Sequence, residues 1–303
     1  MSADSHDVIV IGSGIAGLTA TKHLLQSRPG LKVANIEAEI FGGLVLNINE
    51  LDGSIEGSGA DLASGLSIEA TDLGATMFSE NVTGVVDGGD DWIVTTTEAE
   101  HRARGVIVAS GARFRKLGVP GEDEFEHRGI SHCADCDGAM FAGKDVVVAG
   151  GGDSALQEAH ILAKLCRTVL LVNQGWGFSA KPHLVAAVEK CGNVAVRHRS
   201  EVTAIRGGAG VEKIEVRNLV DSKTAELSCS GLFGFIGLVP AIDFLPADLP
   251  RDRMGAVVTD ASLRAAPRLF AAGAVRSGYG GMLEHAVVEG KLAAANAAKA
   301  VDP

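Results

Sequence analysis

Two cysteines separated by two residues are the side chains in this sequence best suited to redox chemistry. Cys133 and Cys136 flank Ala134 and Asp135, and Asp137 follows them. Two sulfurs at this spacing can close a small disulfide ring, in which one thiolate is stabilised while the other attacks. A purely structural pair of buried thiols would not explain the two aspartates. The pattern therefore favours a redox-active dithiol.

A metal site and a secreted disulfide framework explain the cysteines less well. Zinc would need two more ligands, but the other cysteines are isolated and no histidine pair has the spacing of a zinc finger. Five cysteines is an odd number in a chain of 303 residues, which argues against a framework of disulfides. We expect no metal site and interpret the remaining cysteines as core residues, namely Cys166, Cys191 and Cys229.

A glycine-rich turn near the start has the spacing of a dinucleotide-binding loop. It runs Gly12-Ser13-Gly14-Ile15-Ala16-Gly17 and follows a β-branched run at 7–11. The first glycine permits a tight turn, the second lets the backbone approach a pyrophosphate, and the third lets the helix pack closely on the strand. Glu37 ends a second strand at 32–36, where a carboxylate accepts hydrogen bonds from an adenosine ribose. The alternative is that Glu37 is a solvated strand end.

A second glycine-rich turn, Gly150-Gly151-Gly152-Asp153-Ser154-Ala155, repeats the same order of elements. It lies between a strand at 145–149 and a helix that ends near Leu165, and another strand follows at 168–172. The chain is therefore predicted to contain two nucleotide-binding folds.

The C-terminal segment is predicted to belong to the first of these folds. It offers a strand at 269–272 and an alanine-rich helix from about Leu283. A piece this short cannot form its own core, so it should complete the first domain, with the second domain inserted. The predicted fold class is α/β, with two Rossmann-like, three-layer domains. The predicted bounds are 1–115 with 243–303 for the first domain and 116–242 for the inserted one.

The composition is that of a folded globular protein and excludes several partners. Hydrophobic residues make up 46% and charged residues 21%, so disorder is not expected. The net charge is −11 and no run of Lys and Arg occurs, which speaks against nucleic-acid and membrane surfaces. The first apolar run, at 8–11, is too short for a signal peptide or a membrane span. We expect a cytoplasmic protein.

Several further segments complete a family pattern around the dithiol and the second glycine turn. They are Gly129-Ile130-Ser131-His132, Val106-Ile107-Val108-Ala109-Ser110-Gly111-Ala112, Phe235-Ile236-Gly237-Leu238-Val239-Pro240 and Leu269-Phe270-Ala271-Ala272-Gly273. Over essentially its whole length the chain resembles the low-molecular-weight thioredoxin reductases, which are FAD-dependent pyridine nucleotide-disulfide oxidoreductases. The resemblance implies that the first fold binds FAD and that the inserted domain carries the dithiol and an NADPH site.

The resemblance also implies a role for individual residues. Cys136 would be the sulfur next to the flavin, Cys133 the sulfur that exchanges with substrate, and Asp137 the acid that moves protons. The residues implied to bind FAD are Gly12, Gly14, Ile15, Ala16, Gly17, Glu37, Gly42, Gly43, Gly111, Gly273, Ala274 and Met282. Those implied for a pyridine nucleotide are Gly150, Gly151, Gly152, Asp153, Ser154 and Asn173.

The sequence departs from the family where NADPH would be recognised. The family reads the 2′-phosphate with a His-Arg-Arg cluster and a further arginine, and this chain has Asn173-Gln174-Gly175 and Ser179 at those places. Lys181 is the only cation nearby in the sequence. Arginine is the preferred partner of a phosphate because its planar donors bind in pairs. We expect a degenerate site that binds NADPH poorly, with NADH use still open through the Asn173 or Gln174 amide.

The flavin side departs from the family as well. Ala274 stands where the family has an aspartate, Gly281-Met282 replaces an Arg-Gln pair, and Leu44 replaces a glutamine. His285 stands where the family has a small polar residue at the start of the last helix. It is either a catalytic base or a helix-start residue with an ordinary hydrogen bond.

The predicted function is an FAD-dependent disulfide oxidoreductase that acts through Cys133 and Cys136. Its electron donor is NADH, less well NADPH, or another donor such as ferredoxin. In the opposite direction it would be a dithiol oxidase that passes electrons to oxygen, and the alternative without catalysis is a flavin-binding module. The expected partner is a thioredoxin-like protein or a small disulfide or dithiol, and a homodimer is expected from the resemblance.

Overall fold

The computed structural model describes residues 4–48, 51 and 57–302. The chain divides into two compact units, Met1–Arg113 with Val239–Pro303 and Phe114–Leu238. The chain leaves the first unit two residues earlier, and returns to it four residues earlier, than the bounds expected from the sequence.

The helices and strands of the described residues are as follows. The strands are β1 (Asp4–Ile11), β2 (Val33–Glu37), β3 (Thr76–Ser79), β4 (Val82–Asp87), β5 (Trp92–Thr96), β6 (Glu100–Val108), β7 (Ala112–Phe114), β8 (Ile130–Ser131), β9 (Asp145–Gly150), β10 (Thr168–Val172), β11 (Val194–Arg197), β12 (Ser200–Gly207), β13 (Val211–Asn218), β14 (Thr224–Ser228), β15 (Gly231–Phe235), β16 (Leu238–Pro240), β17 (Arg264–Ala266) and β18 (Leu269–Ala271). The α-helices are α1 (Ile15–Ser27), α2 (Gly59–Asp72), α3 (Glu122–Phe125), α4 (Ala134–Asp137), α5 (Asp153–Leu165), α6 (Pro182–Glu189) and α7 (Leu283–Ala300).

The first unit is a three-layer Rossmann-like fold. Strands β3, β2, β1, β6 and β18 are parallel neighbours in that order, and β17 and the β4–β5 hairpin join them antiparallel. Helices α1 and α7 pack on each other over one face, with apolar side chains of α1, β1 and α7 in one core. A second core lies on the other face, where β4 and β5 cover the sheet. Both faces of β1 are covered, which explains its continuous apolar run.

The second unit has the same plan with a smaller sheet. Strands β11, β10, β9, β15 and β8 are all parallel, in that order. Helix α5 buries Ala155, Leu156, Ala159 and Leu162 against one face, at the spacing of a helical stripe. The antiparallel sheet β12–β13–β14 covers the other face. The prediction of an α/β chain with two Rossmann-like, three-layer domains is confirmed.

The first strand begins at Asp4, three residues before the β-branched run, because residues 4–6 pair with 101–103 on β6. The C-terminal strand β18 pairs with β6, which places the end of the chain in the first unit. Among the described residues, every helix is too short or too polar to pass through a lipid bilayer.

Candidate functional site

The first glycine turn joins β1 to α1, and its three glycines have different structural reasons. Gly12 has φ of +104°, and a Cβ there would overlap the Ala109 carbonyl. A Cβ on Gly17 would overlap the Gly12 carbonyl oxygen, so this glycine lets α1 approach the turn. Gly14 is different, because a Cβ there would meet only the Gly42 carbonyl oxygen at 3.8 Å. Packing within the protein therefore does not account for a glycine at position 14.

The Glu37 carboxylate lies beside this turn and is not a free strand end. Its Oε2 accepts a hydrogen bond from the Ser13 amide at 2.7 Å, and its Oε1 accepts from the Ala38 amide at 2.9 Å. The loop at Gly42 lies on the same side, where the Gly42 amide donates to the Ser13 carbonyl at 2.8 Å. The turn, Glu37 and the Gly42 loop are thus brought together at the carboxyl ends of β1 and β2.

Cys133 and Cys136 form a disulfide at the start of the short helix α4. The Cys133 side chain is 7% exposed, whereas Cys136 is exposed. The Cys136 amide donates a hydrogen bond to the Cys133 sulfur at 3.1 Å. An amide donor stabilises negative charge on the sulfur that it contacts. The backbone therefore favours a thiolate on Cys133 after reduction.

Asp137 is held in the same short segment by a buried hydroxyl. Ser131, which is 5% exposed, donates from its Oγ to Asp137 Oδ2 at 2.7 Å. The Cys133 amide donates to the same Ser131 oxygen at 3.2 Å. Ser131 therefore fixes the Asp137 carboxylate relative to the dithiol. The sequence placed Ser131 in a segment of the family pattern but did not indicate this contact.

The second glycine turn joins β9 to α5 and contacts the loop that follows β10. A Cβ on Gly151 would lie 2.5 Å from the Asn173 amide oxygen, so that side chain packs directly on the turn. The Asn173 amide nitrogen donates to the Gly177 carbonyl at 2.8 Å, and its oxygen accepts from the Gly175 amide at 3.1 Å. The Gln174 amide donates to Glu201 at 3.1 Å. Both amides are thus used within the protein.

The structure corrects the expectation that Lys181 is the only cation near this loop. The Lys181 ammonium lies 3.6 Å from the Asp153 carboxylate, with which it forms an exposed ion pair. Arg199, which follows β11, donates from its guanidinium to the Gln174 carbonyl at 3.1 Å. The sequence did not reveal this arginine because it lies 25 residues from Gln174 and is brought there by the pairing of β10 with β11.

The two turns and the disulfide match one known family. The sequence model described as pyridine nucleotide-disulphide oxidoreductase matches residues 6–299. The chain belongs to this family. A thioredoxin reductase of Treponema pallidum is 35% identical over 302 residues, covering 98% of this chain and 97% of the relative.

Solved structures of related proteins agree with the assignment of this chain to the pyridine nucleotide-disulphide oxidoreductases. The Lactococcus lactis thioredoxin reductase superposes with a TM-score of 0.90 at 32% identity, covering 98% of this chain and 99% of the other. The T. acidophilum thioredoxin reductase gives a TM-score of 0.87 at 26% identity, with 97% and 98% covered. The chain is an oxidoreductase of the thioredoxin reductase type that acts on sulfur groups, and its cofactor is FAD.

The first unit of this oxidoreductase fits the pyrophosphate of FAD. Within the described residues, the N-terminus of α1 has no side-chain cap and no acidic residue in its first turn. The nearby Glu37 carboxylate accepts from the Ser13 amide, which precedes the helix, and the amides of the first turn of α1 remain available to an anion. The space next to Gly14 is open, and a Cβ on Gly111 would have no neighbour within 4 Å. Backbone amides with open space in front of them are what a pyrophosphate requires.

A largely buried ion pair between Glu289 and Arg276 lies beside the segment that begins at Gly273. This pair was not identified from the sequence. Glu289 Oε2 accepts from the Gly273 amide at 2.8 Å, and its other oxygen pairs with Arg276. A Cβ on Gly273 would lie 3.0 Å from the Ala16 side chain. The carboxylate on α7 thus orders the segment in which Ala274 replaces the family's aspartate, and only the packing of α7 reveals it.

The remaining residues expected on the flavin side lie near the start of α7. Met282 is the residue before the helix, and its carbonyl accepts from the Tyr279 hydroxyl at 2.9 Å. His285 is exposed, and its imidazole packs against the Gly280 backbone. Its backbone amide donates to the Met282 carbonyl at 3.1 Å. These contacts order the helix start around His285, which stays a candidate base.

The isolated cysteines contrast with the disulfide. Burial raises the pKa of Cys229 to about 12 and raises that of Cys166. A thiol with a raised pKa is a poor nucleophile. Cys191 is partly exposed, with its sulfur 3.5 Å from His160 Nδ1. The dithiol of this enzyme is therefore the pair at 133 and 136.

Glu158 is a second carboxyl group next to the dithiol helix. Its Oε2 accepts from the Ala134 amide at 2.5 Å. Burial raises the pKa of Glu158, and the nearby Asp135 charge raises it further. Folding therefore favours the protonated form more than the unfolded chain does.

We expect Glu158→Gln to stabilise the protein increasingly as pH rises. A carboxyl group whose folded pKa is raised favours folding at low pH, and that contribution is lost as pH rises from the ordinary value of 4.5 through the folded pKa. Glutamine keeps an acceptor for the Ala134 amide and carries no charge. Urea midpoints of both proteins at about pH 4.5 and about pH 8 measure the difference. Equal differences at the two pH values would contradict the role of burial.

Proposed function

We propose that the chain exchanges electrons between its flavin and an external disulfide through Cys133 and Cys136. The observation that carries this proposal is the disulfide at the start of α4, with the Asp137 carboxylate held beside it by Ser131. A solvated or purely structural disulfide would not require a buried hydroxyl to orient a carboxylate.

The exchange would proceed by ordinary thiolate chemistry. In the reduced protein the Cys133 thiolate attacks one sulfur of the substrate disulfide, and the other substrate sulfur leaves as a thiolate. The Cys136 sulfur then attacks Cys133, which re-forms the protein disulfide and releases the second substrate thiol. Asp137 would accept the Cys136 proton and pass it to the leaving sulfur.

The FAD site would be formed by the first glycine turn and its neighbours. The turn amides would hold the pyrophosphate, Glu37 would accept from the ribose, and the Gly42 loop, Gly111, Gly273, Ala274 and Met282 would line the rest. When bound, FAD supplies a centre that takes up or donates an electron pair. Glu37 retains acceptor capacity, since each carboxylate oxygen has two lone pairs.

Nicotinamide use is proposed to be weak. No arginine stands at Gln174, Gly175 or Ser179, and the amides of Asn173 and Gln174 are engaged in the loop itself. A dinucleotide would have to displace these hydrogen bonds or bind without them, and either loses affinity. Gly150, Gly151, Gly152, Asp153 and Ser154 remain as the turn that would face its pyrophosphate.

The proposed substrate is a thioredoxin-like protein or a small disulfide, since several relatives are named thioredoxin reductases. The test is anaerobic addition of dithiothreitol to the purified protein, with the flavin followed at about 450 nm. Bleaching is expected, because the dithiol can pass electrons inward. Unchanged absorbance would overturn the proposal and leave a flavin-binding module.

The same sample also tests the electron donor. We expect NADH and NADPH each to bleach the flavin slowly. Reduced ferredoxin is the third donor to be tested. Admission of oxygen after bleaching with dithiothreitol tests the oxidase direction by sustained consumption of dithiol. Rapid reduction by micromolar NADPH, at about the turnover of an ordinary enzyme, would contradict weak nicotinamide use.

A further inference from the structure

An exposed tryptophan and an arginine form a stacked pair beside the second glycine turn. Trp176 lies in the loop after β10 and is 77% exposed. The Arg199 guanidinium carbon lies 4.8 Å from the centre of the Trp176 ring. An exposed aromatic ring beside a cation offers a flat surface on which a planar ligand can stack. Neither residue has a role in the dithiol chemistry.

The backbone of Arg199 is held in a conformation that arginine rarely adopts. Its φ is +49°, in the left-handed region. The Arg199 amide donates to the Gly175 carbonyl at 3.1 Å, and its carbonyl accepts from the Leu219 amide at 2.6 Å. Unfavourable backbone conformations of this kind cluster at ligand sites, where the surrounding structure maintains them. The Arg199 guanidinium donates to the Gln174 carbonyl, which places it at the loop after β10.

The hydrogen-bond donors of the Arg199 guanidinium are only partly satisfied by the described residues. Its Nε is buried and has no hydrogen-bond partner within the described residues. No described carboxylate lies within ion-pair distance of Arg199, whereas Lys181 is paired with Asp153. Glu201, the acidic side chain that contacts this loop, is bound to Arg217 and Gln174. The Arg199 guanidinium is therefore a planar cation that no described carboxylate neutralises.

The position of the pair defines the ligand. It lies outside the carboxyl ends of β10 and β11, which is where α/β sheets bind nucleotides. Asn173 connects the loop directly to Gly151 of the glycine turn. A ring for stacking and a planar cation together suit an adenosine that carries a phosphomonoester.

We propose that Trp176 and Arg199 bind the adenosine end of a pyridine dinucleotide, with Arg199 contacting a 2′-phosphate. This inference rests on one part of the proposed function, namely that the second glycine turn binds a dinucleotide. It makes Arg199 the residue that decides between NADP(H) and NAD(H), in place of the arginines absent at Gln174, Gly175 and Ser179. The remaining affinity of the second glycine turn for a dinucleotide would then depend on the 2′-phosphate.

The test uses tryptophan fluorescence of the FAD-loaded protein. The chain has two tryptophans, and the other, Trp92, is buried in the first unit. In a Trp92→Phe background, adenosine 2′,5′-bisphosphate and AMP are titrated in parallel. We expect the bisphosphate to bind about ten- to a hundredfold more tightly, as one charge-assisted contact would give.

The decisive variant is Arg199→Asn. Asparagine tolerates the left-handed conformation, so the loop should fold without the guanidinium. The two ligands should then bind with equal affinity, while Lys181→Ala should keep the preference. Trp176→Leu, measured by calorimetry, should weaken both ligands and leave their ratio unchanged. Equal affinities in the parent protein, or an unchanged ratio in Arg199→Asn, would overturn the proposal.

Failure of the proposed dithiol function would be seen separately. The titrations do not depend on Cys133 or Cys136 and give the same result in a Cys133→Ser, Cys136→Ser background if the inference is correct. Bleaching by dithiothreitol, in turn, does not depend on Arg199.

Discussion

Replacing Cys136 by serine is expected to stop release of the second thiol from glutathione disulfide. The reduced parent protein converts one glutathione disulfide into two glutathione thiols as it forms the Cys133–Cys136 disulfide. In the variant the Cys133 sulfur still attacks glutathione disulfide, but no second thiol is present to cleave the mixed disulfide that forms. The protein therefore accumulates with one glutathione attached to Cys133. A well-placed internal thiol can act at an effective concentration of about 10⁵ M or more, far above that of any free thiol, so release of the second thiol should slow by orders of magnitude. Mass spectrometry of the quenched reaction measures the adduct.

The reciprocal variant, Cys133→Ser, tests which sulfur attacks first. The hydrogen bond from the Cys136 amide favours a Cys133 thiolate, whereas the greater exposure favours Cys136. With Cys133 as the nucleophile, Cys136→Ser forms its adduct faster than Cys133→Ser. Cys191→Ser is the matched control and should behave as the parent. Exchange at the parental rate in a double serine variant would rule out the dithiol mechanism.

Replacing Gly14 by valine is expected to yield protein with little or no flavin. Gly14 has φ of −71° and ψ of −177°, which valine adopts readily, and the nearest atom to an added Cβ is 3.8 Å away. The fold should therefore tolerate the side chain. The side chain would occupy the space in front of the α1 amides, where the pyrophosphate is proposed to bind. Removing one hydrogen bond to a charged pyrophosphate costs about 1.5 to 3 kcal/mol, so the loss of two or more should lower affinity by about a hundredfold or more.

The flavin content of the purified protein, from its absorbance relative to protein, measures this effect. Gly65→Ala is the matched control, because Gly65 lies in α2 and an added Cβ there meets nothing within 4 Å. Thermal unfolding of both variants reports whether the fold is retained. Parental flavin content in a folded Gly14→Val protein would contradict the assignment of the turn to FAD.

The sequence predicted the elements that local patterns control. The strand at 168–172 and the helix ends near Leu165 and Leu283 agree with the structure, because apolar runs and glycine turns act over a few residues. The dithiol was equally local, since the two cysteines lie only three positions apart at the start of one short helix. The roles assigned to individual site residues stay predictions, which the variants above address.

Only the tertiary structure decided which distant side chains join these local motifs. Glu158 reaches the Ala134 amide because α5 packs beside α4. Glu289 reaches the Gly273 amide because α7 packs against the segment at 273–275. Arg199 reaches Gln174 because β10 and β11 are neighbours in a parallel sheet. Parallel strands are joined by crossovers, so residues at neighbouring strand ends are far apart in sequence. No local spacing encodes such contacts, and they arise when the sheet order and the packing of the helices are set.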